Sequence, residues 1–314
     1  MSPPESSQRP RSKLVTIEQA AASIPSGAHL TFGGFAASLA PMAFVRELIR
    51  GGAGDFELSA IAEAWPADML VGAGRVARLR MSNLMFEGLG RCRNVSRAIE
   101  QGVVPVEDYS HRALAARMEA AGAGLPFAVV RSMLGTDLER VETFDAPKSR
   151  RFTDPFSQQL VLLLPQLRPD VAVLHATRAD EEGNVQLDGI TAVLVEQARA
   201  AERVIVTVDE IVSTRLTHST PERTVLPRHM VDMVAWAPYG AHPTGMFKGY
   251  GPDEPHLADY YERSRTPEGF AEYLDRFAFG VASQWEYLER VGMARLMALR
   301  ADPQLGYPLQ ERAA

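Results

Sequence analysis

Residues 29–41 read HLTFGGFAASLAP. An apolar run stops at two glycines, Gly33 and Gly34, and an amphipathic segment opens at Pro41. Strand, tight turn and helix start in that order are the local pattern of an α/β protein. The pattern repeats outward from this point. Upstream, Thr16 and Gln19 bracket the start of TIEQAAASI as a capping box, and Pro25-Ser26-Gly27 stop it. Downstream, PMAFVRELIRGG places Phe44, Val45, Leu48 and Ile49 on one helical face and ends in glycine.

The alternation then runs on through the strand FELSAIA, a short helix around ADMLVGAG and the strand VARLRMS. RALAARMEAAGAG is helical, while FAVV, LVLLLP and DVAVLHA are extended. TAVLVEQARAAE feeds the strand RVIVTV, and VDMVAWA is extended again. This predicts an α/β fold with an open, mostly parallel sheet, flanking helices and right-handed crossovers. Past residue 254 the pattern turns helical, in HLADYYERS, PEGFAEYLDRFAFG and SQWEYLERVGMARLMAL, which predicts a C-terminal helical layer. Residues 1–13 (MSPPESSQRPRSK) read as a disordered tail, and 14–314 as a single domain. DAPKSRRFTDPFS reads as a long surface loop between two halves of it. ADEEGNVQLDG reads as a hairpin turn, since it lacks the ligand spacing of a calcium loop.

The net charge of −6 argues against a nucleic-acid partner, and no apolar run is long enough to span a bilayer. Only Lys13, Lys148 and Lys248 are lysine, so a clamp for an anion would rely on arginine. A lone cysteine, Cys92, excludes an internal disulfide and fits a reducing cytoplasm. The seven histidines show no close metal-ligand spacing, so no metal is expected.

Gly33-Gly34-Phe35 can present backbone N–H groups to an oxyanion or a phosphate, or can simply make a tight turn. The GxGxxG and GK[ST] patterns are absent. Glu63 and Glu87 stand near strand ends, where a carboxylate can act as nucleophile or base. Glu63 reads as a solvated loop charge, whereas Glu87, between Phe86 and Gly88, reads as partly desolvated. Ser110 and His111 start a helix, where the serine caps and the histidine can donate to a substrate. His242, in the turn-rich PYGAHPTG, either faces a ligand or stiffens a loop.

Taken together these segments resemble family I CoA-transferases. SGAHLTFGGFAASLAP is similar to the family's N-terminal signature, with Thr31 at one apolar position and Leu39 where many members have glycine. The resemblance continues through DMLVGAGRV, NVSRAIEQG, EDYSH, GLPF, DPFS, DVAVLHATRADEEGNV, VIVTVDEIVS, APYGAHP and LGY. PYGAHP and the helical C-terminus are most similar to the α (A) subunit of the glutaconate type.

The resemblance implies a NagB/RpiA-like fold and a glutamate nucleophile that forms a glutamyl-CoA thioester. It places that glutamate in a Ser-Glu-Asn-Gly motif on a β subunit. The motif is absent here; Glu181-Glu182-Gly183-Asn184 is only an echo of it. The implied protein is therefore the α subunit of a heteromeric cytoplasmic CoA-transferase, α2β2 or larger, inert without β. No cofactor is permanently bound, and coenzyme A is a co-substrate. Acyl-CoA and a carboxylic acid, glutaconate or a related 3-oxoacid or dicarboxylate, are the substrates. The residues implied in oxyanion or substrate binding are Gly33, Gly34, Phe35, Glu87, Gly88, Ser110, His111 and His242. Glu87-Gly88 falls where the glutaconate type carries Ser-Gly, so Glu87 would repel a dicarboxylate's free end. The alternative is a CoA-thioester hydrolase or decarboxylase on the same scaffold, with Glu87 or a partner residue in a new role.

Overall fold

The computed structural model describes residues 12–141, 144 and 147–308. β1 (Leu14–Val15) leads into α1 (Ile17–Ala22) through the capping box. Thr16 Oγ1 accepts from Gln19 N at 3.2 Å, and Gln19 Oε1 accepts from Thr16 N at 3.0 Å. β2 (His29–Phe32) ends at the glycine pair, and α2 (Met42–Gly51) runs from Pro41 to Gly52, whose φ of +79° only glycine adopts easily. Then come β3 (Phe56–Ile61), α3 (Ala64–Gly72), β4 (Val76–Ser82), α4 (Arg93–Glu100), β5 (Val106–Asp108) and α5 (His111–Gly122).

β6 (Phe127–Val130), α6 (Asp137–Arg140), β7 (Arg150–Thr153) and β8 (Leu160–Pro165) follow, with β6, β8 and β7 forming a small antiparallel sheet in that order. The chain returns to the main sheet with β9 (Val171–Asp180), β10 (Val185–Gln186), α7 (Leu194–Ala200), β11 (Arg203–Val212), α8 (Thr214–Ser219), β12 (Thr224–Leu226) and β13 (Met233–Trp236). It closes with α9 (Glu254–Arg263), α10 (Pro267–Leu274), α11 (Gln284–Val291) and α12 (Met293–Leu299).

The main sheet has the order β1-β13-β11-β9-β2-β3-β4-β5, and these neighbours are parallel. From β2 the chain moves outward one way through β3, β4 and β5. From β9 it moves the other way through β11 and β13. β2 and β9 thus lie side by side where the winding reverses, with Leu30 opposite Val171 and Phe32 opposite Val173. The crevice beyond the carboxyl ends of such a strand pair is where open α/β sheets take ligands.

Strand alternation divides the core into two layers. Val171, Val173 and Ile205 face α1, α2, α3 and the C-terminal helices, while Ala172, Leu174, Val204 and Val206 face α7 and α12. A third apolar cluster joins α5 to β6 and β8. The predicted helical layer is present: Tyr260, Tyr273, Phe277 and Tyr287 are buried against α2 and α3. No helix among the described residues is long and apolar enough to cross a membrane.

The structure corrects three local readings. Residues 1–11 lie outside the described residues, but Lys13, assigned to the tail, is tied down: its N–H donates to Glu181 O at 2.8 Å and its Nζ to Val231 O at 2.7 Å. The segment read as a loop contains β7, because Arg150–Thr153 pair with β8 from Leu163 to Leu160. The last helical run is two helices, α11 and α12, parted at Gly292, where φ is +93°. The hairpin at Asp180–Gln186 forms, with Val185 opposite Ala179.

Candidate active site

The glycine pair sits at the carboxyl end of β2, at the winding reversal. Gly33 has its N–H committed to Val173 O at 2.8 Å. A Cβ there would lie 3.2 Å from Leu174 Cδ2, so the residue is small because β9 packs against it. Gly34 has φ +142°, a backbone state that side chains disfavour. Phe35 N donates to Ser38 O at 2.9 Å, and Ser38 N returns the bond to Phe35 O at 3.0 Å. Ala36 and Leu39 are also left-handed, at φ +53° and +63°.

The turn is stitched to the 237–252 segment by Leu39 N to Gly245 O and Gly245 N to Ala37 O, each 2.8 Å. Of this loop, the N–H groups of Gly34, Ala36, Ala37 and Ala40 have no acceptor among the described residues. Gly34 and Ala40 are buried, and of these Gly34 directly follows the β2 end. Of the three residues expected to bind an oxyanion, Gly33 and Phe35 spend their donors internally and Gly34 keeps its own.

Glu63 contradicts the reading as a solvated charge. Its side chain is 2% exposed and lies under the turn, with Cγ 3.5 Å from where a Gly34 Cβ would stand. Its Oε1 accepts from Gln197 Nε2 at 2.8 Å and its Oε2 accepts from Ile61 N. Gln197 Nε2 also reaches Phe32 O at 2.7 Å and Thr31 Oγ1 at 3.0 Å, which ties β2, β3 and α7 together. Desolvation raises the Glu63 carboxyl well above the usual carboxylate range. The position is that of a buried carboxyl buttressing the turn, with burial favouring its protonated form.

Glu87 is corrected in the opposite sense. It is exposed, not desolvated, and stands at φ +49° in a short turn, Glu87–Leu89. It lines a cleft of about 410 Å³ with Ala37, Trp65, Phe86, Gly88 and Leu257. Trp65 and Phe86 stack with centroids 4.1 Å apart and form the apolar wall. Gly88 opens onto free space. Through Ala37 the cleft adjoins the loop that holds Gly34.

Ser110 caps α5, accepting from Ala113 N at 3.2 Å and donating to Ser132 Oγ at 3.0 Å. His111, exposed, bonds through Nδ1 to Ser82 Oγ at 2.8 Å, at the carboxyl end of β4. Gly34 and Glu63 thus follow the ends of β2 and β3, and Ser82 closes β4.

His242 takes the loop-stiffening place. It is fully buried, with Nδ1 2.7 Å from Tyr287 Oη and Nε2 3.0 Å from Asp253 Oδ2, and burial lowers its basicity. His242, Asp253 and His256 bring three ligand-type atoms within 4.8 Å of one another. Each is already engaged: Asp253 is forked by Arg295 at 2.6 and 3.1 Å, and His256 Nε2 meets Tyr273 Oη at 2.9 Å. The trio is a strut that anchors α9 and α11. Cys92 is buried and desolvation pushes its thiol up, so it is no nucleophile.

The sequence reading missed Gln197 and the group His175, Asp209 and Tyr250. His175 Nδ1 meets Thr207 Oγ1 at 2.9 Å, and Tyr250 Oη donates to Asp209 Oδ1 at 3.3 Å beneath the 237–252 segment. Polar residues closing apolar strands, as in HATRAD and VTVDE, were the signal available.

Comparison with known proteins gives consistent results. The coenzyme A transferase family model matches residues 14–237. An uncharacterized protein of Archaeoglobus fulgidus is 38% identical over 93% of this chain, and the chain spans 65% of that protein's length. The A subunit of glutaconate CoA-transferase from Acidaminococcus fermentans is 34% identical over 94% of this chain and 97% of its own. The crystal structure of glutaconate coenzyme A-transferase from the same organism superposes with a TM-score of 0.91 at 32% identity, covering 95% of this chain and 98% of that one.

Proposed function

The chain belongs to the coenzyme A transferase family, and from that premise we propose that it is the A-type subunit of a heteromeric CoA-transferase working in the cytoplasm. In this reading it moves CoA from an acyl-CoA to a carboxylic acid. A glutamate carboxylate supplied by the partner attacks the thioester carbonyl, CoA thiolate leaves and a mixed anhydride forms. The thiolate then attacks the glutamyl carbonyl, which frees the first acid and leaves a glutamyl-CoA thioester. The acceptor carboxylate repeats both steps in reverse, restoring the glutamate. Electrons balance without a cofactor or metal ion.

What this chain supplies is the wall that steadies the oxyanion. The observation that carries the reading is the buried Gly34, its N–H without an acceptor, at the carboxyl end of β2 beside an open cleft. A preorganised backbone donor in such a place favours each tetrahedral intermediate. Glu63, the carboxyl packed under that donor, is buried, and burial favours its protonated form, so in this reading the nucleophile comes from the partner. The chain alone would therefore be inert.

The test uses the chain co-purified with its partner. Initial rates should follow ping-pong kinetics between an acyl-CoA and an acid. Borohydride added with acyl-CoA should inactivate the pair, with the adduct on a partner glutamate. Turnover by this chain alone, or inactivation mapping to Glu87, would overturn the reading. The hydrolase or decarboxylase alternative predicts loss of thioester without an acceptor acid, and no observation favours it over transfer.

A further inference from the structure

We propose that the cleft beside the glycine turn selects an acyl group whose far end is uncharged, and rejects dicarboxylates. The proposal deepens the transferase reading and rests on it for the identity of the ligand as an acyl-CoA. The cleft's volume of about 410 Å³ suits a short acyl chain, within the usual range for small-molecule sites. Its floor and walls are apolar, from Trp65, Phe86 and Leu257. The charges on its lining are both negative: Glu87 and Glu254, each exposed at the rim.

No lining residue is basic. Arg295, whose charge Glu254 feels, has its guanidinium forked onto Asp253. The Glu87 carboxylate has no hydrogen-bond or ion-pair partner among the described residues, so none of these neutralises it. A substrate carboxylate entering the cleft would meet like charge and no counter-ion, while losing water to apolar walls. Both effects act against it. An apolar acyl chain buries its surface against Trp65 and Phe86 and leaves both carboxylates hydrated. Ala37, at the cleft's inner side, joins it to the loop whose Gly34 N–H faces the reacting carbonyl in this reading.

The experiment takes the complex with its partner, and two five-carbon pairs: pentanoate against glutarate as acceptors, and pentanoyl-CoA against glutaryl-CoA as ligands in calorimetry. Wild type should show kcat/KM at least tenfold higher for pentanoate and bind pentanoyl-CoA at least tenfold tighter. Glu87→Gln should narrow both ratios several-fold, and Glu87→Gln with Glu254→Gln should narrow them further. Equal binding of the two thioesters, binding of neither, or ratios that the double variant leaves unmoved would overturn the proposal. If no acid accepts CoA while calorimetry keeps the preference and its loss in Glu87→Gln, the transfer reaction is wrong and the charge selection stands.

Discussion

Gln197 Nε2 donates to Glu63 Oε1 at 2.8 Å, joining the end of β3 to α7 across 134 residues of chain in a fully buried site. The bond holds a carboxyl that burial has pushed toward its neutral form. Folded Glu63 keeps its proton to a higher pH than unfolded Glu63, whose pKa is about 4.3. Over that interval the native state binds more protons, so this group's contribution to stability is complete below about pH 4.3 and falls as pH rises. Glu63→Gln removes the titration while retaining a hydrogen-bonding side chain. Urea unfolding between pH 5 and 8 should show a flatter stability profile than wild type. An unchanged slope would mean Glu63 is ionised in the fold. Glu63→Ala should instead cost about 2 kcal/mol, by leaving the buried Ile61 N–H without its acceptor.

Two histidines act with the opposite sign. Burial holds His29 and His256 neutral, each lowered to about 3. Unfolded histidine takes up its proton near pH 6.5, so stability is lost as pH falls from there toward 3. The loss is at most about 1.4 kcal/mol per pH unit for each group. His29→Gln, which can still bond Ser59 Oγ, 2.7 Å from the imidazole Nε2, should reduce that acid slope without changing the midpoint above pH 7. A slope equal to wild type would mean that folded His29 takes up its proton as readily as the unfolded residue.

Sequence sufficed where the cause is local. The capping box at Thr16, the stop at Gly52 and the turn after β2 each depend on residues within a few positions, and they form as read. The sheet direction followed from strand–helix alternation. What failed depended on distant partners. Glu63 looked solvated because carboxylates usually are, yet its neighbours Ile61, Ala62, Ala64 and Trp65 are apolar and Gln197 arrives from α7. His242 stayed open between a ligand contact and a loop strut because its partners Tyr287 and Asp253 lie outside the PYGAHPTG motif. Gly33 and Gly34 looked equivalent. Only the pairing of β2 with β9 decides that one donor is spent and the other is not.

Arg46 predicts how the helical layer is attached. It is 2% exposed on α2, donates to His242 O and to Gln284 Oε1 at 3.0 Å each, and lies 3.5 Å over the Tyr287 ring. Arg46→Ala leaves Gln284 Oε1 without a donor, His242 O with only a long bond from Tyr287 Oη at 3.5 Å, and a void beneath Tyr287. The expected loss is about 3 kcal/mol. Arg46→Lys should recover little, since an ammonium cannot fork to both acceptors or stack flat on the ring. Limited proteolysis should then cut first between α10 and α12. Cleavage elsewhere, or a Lys variant as stable as wild type, would show that the layer is held by apolar packing alone.

Gly34 carries the sharpest test of the site. With φ at +142°, any side chain strains the backbone by about 1–3 kcal/mol, and the methyl of Gly34→Ala would sit 3.5 Å from Ala40 and Glu63. That strain turns the peptide and moves its free N–H, whereas the contacts themselves are tolerable. The variant should fold and pair with its partner, with a slightly lower melting temperature. Its kcat should fall about a hundredfold, the scale for losing one oxyanion donor. KM should change little, because the donor matters most when charge develops on the carbonyl oxygen. Gly33→Ala is the control: its N–H is bonded to Val173 O, and the added methyl presses on Leu174 at 3.2 Å. It should lose stability while keeping most of its kcat. If the two variants lose kcat equally, the turn is only a structural joint and the oxyanion is held by other groups.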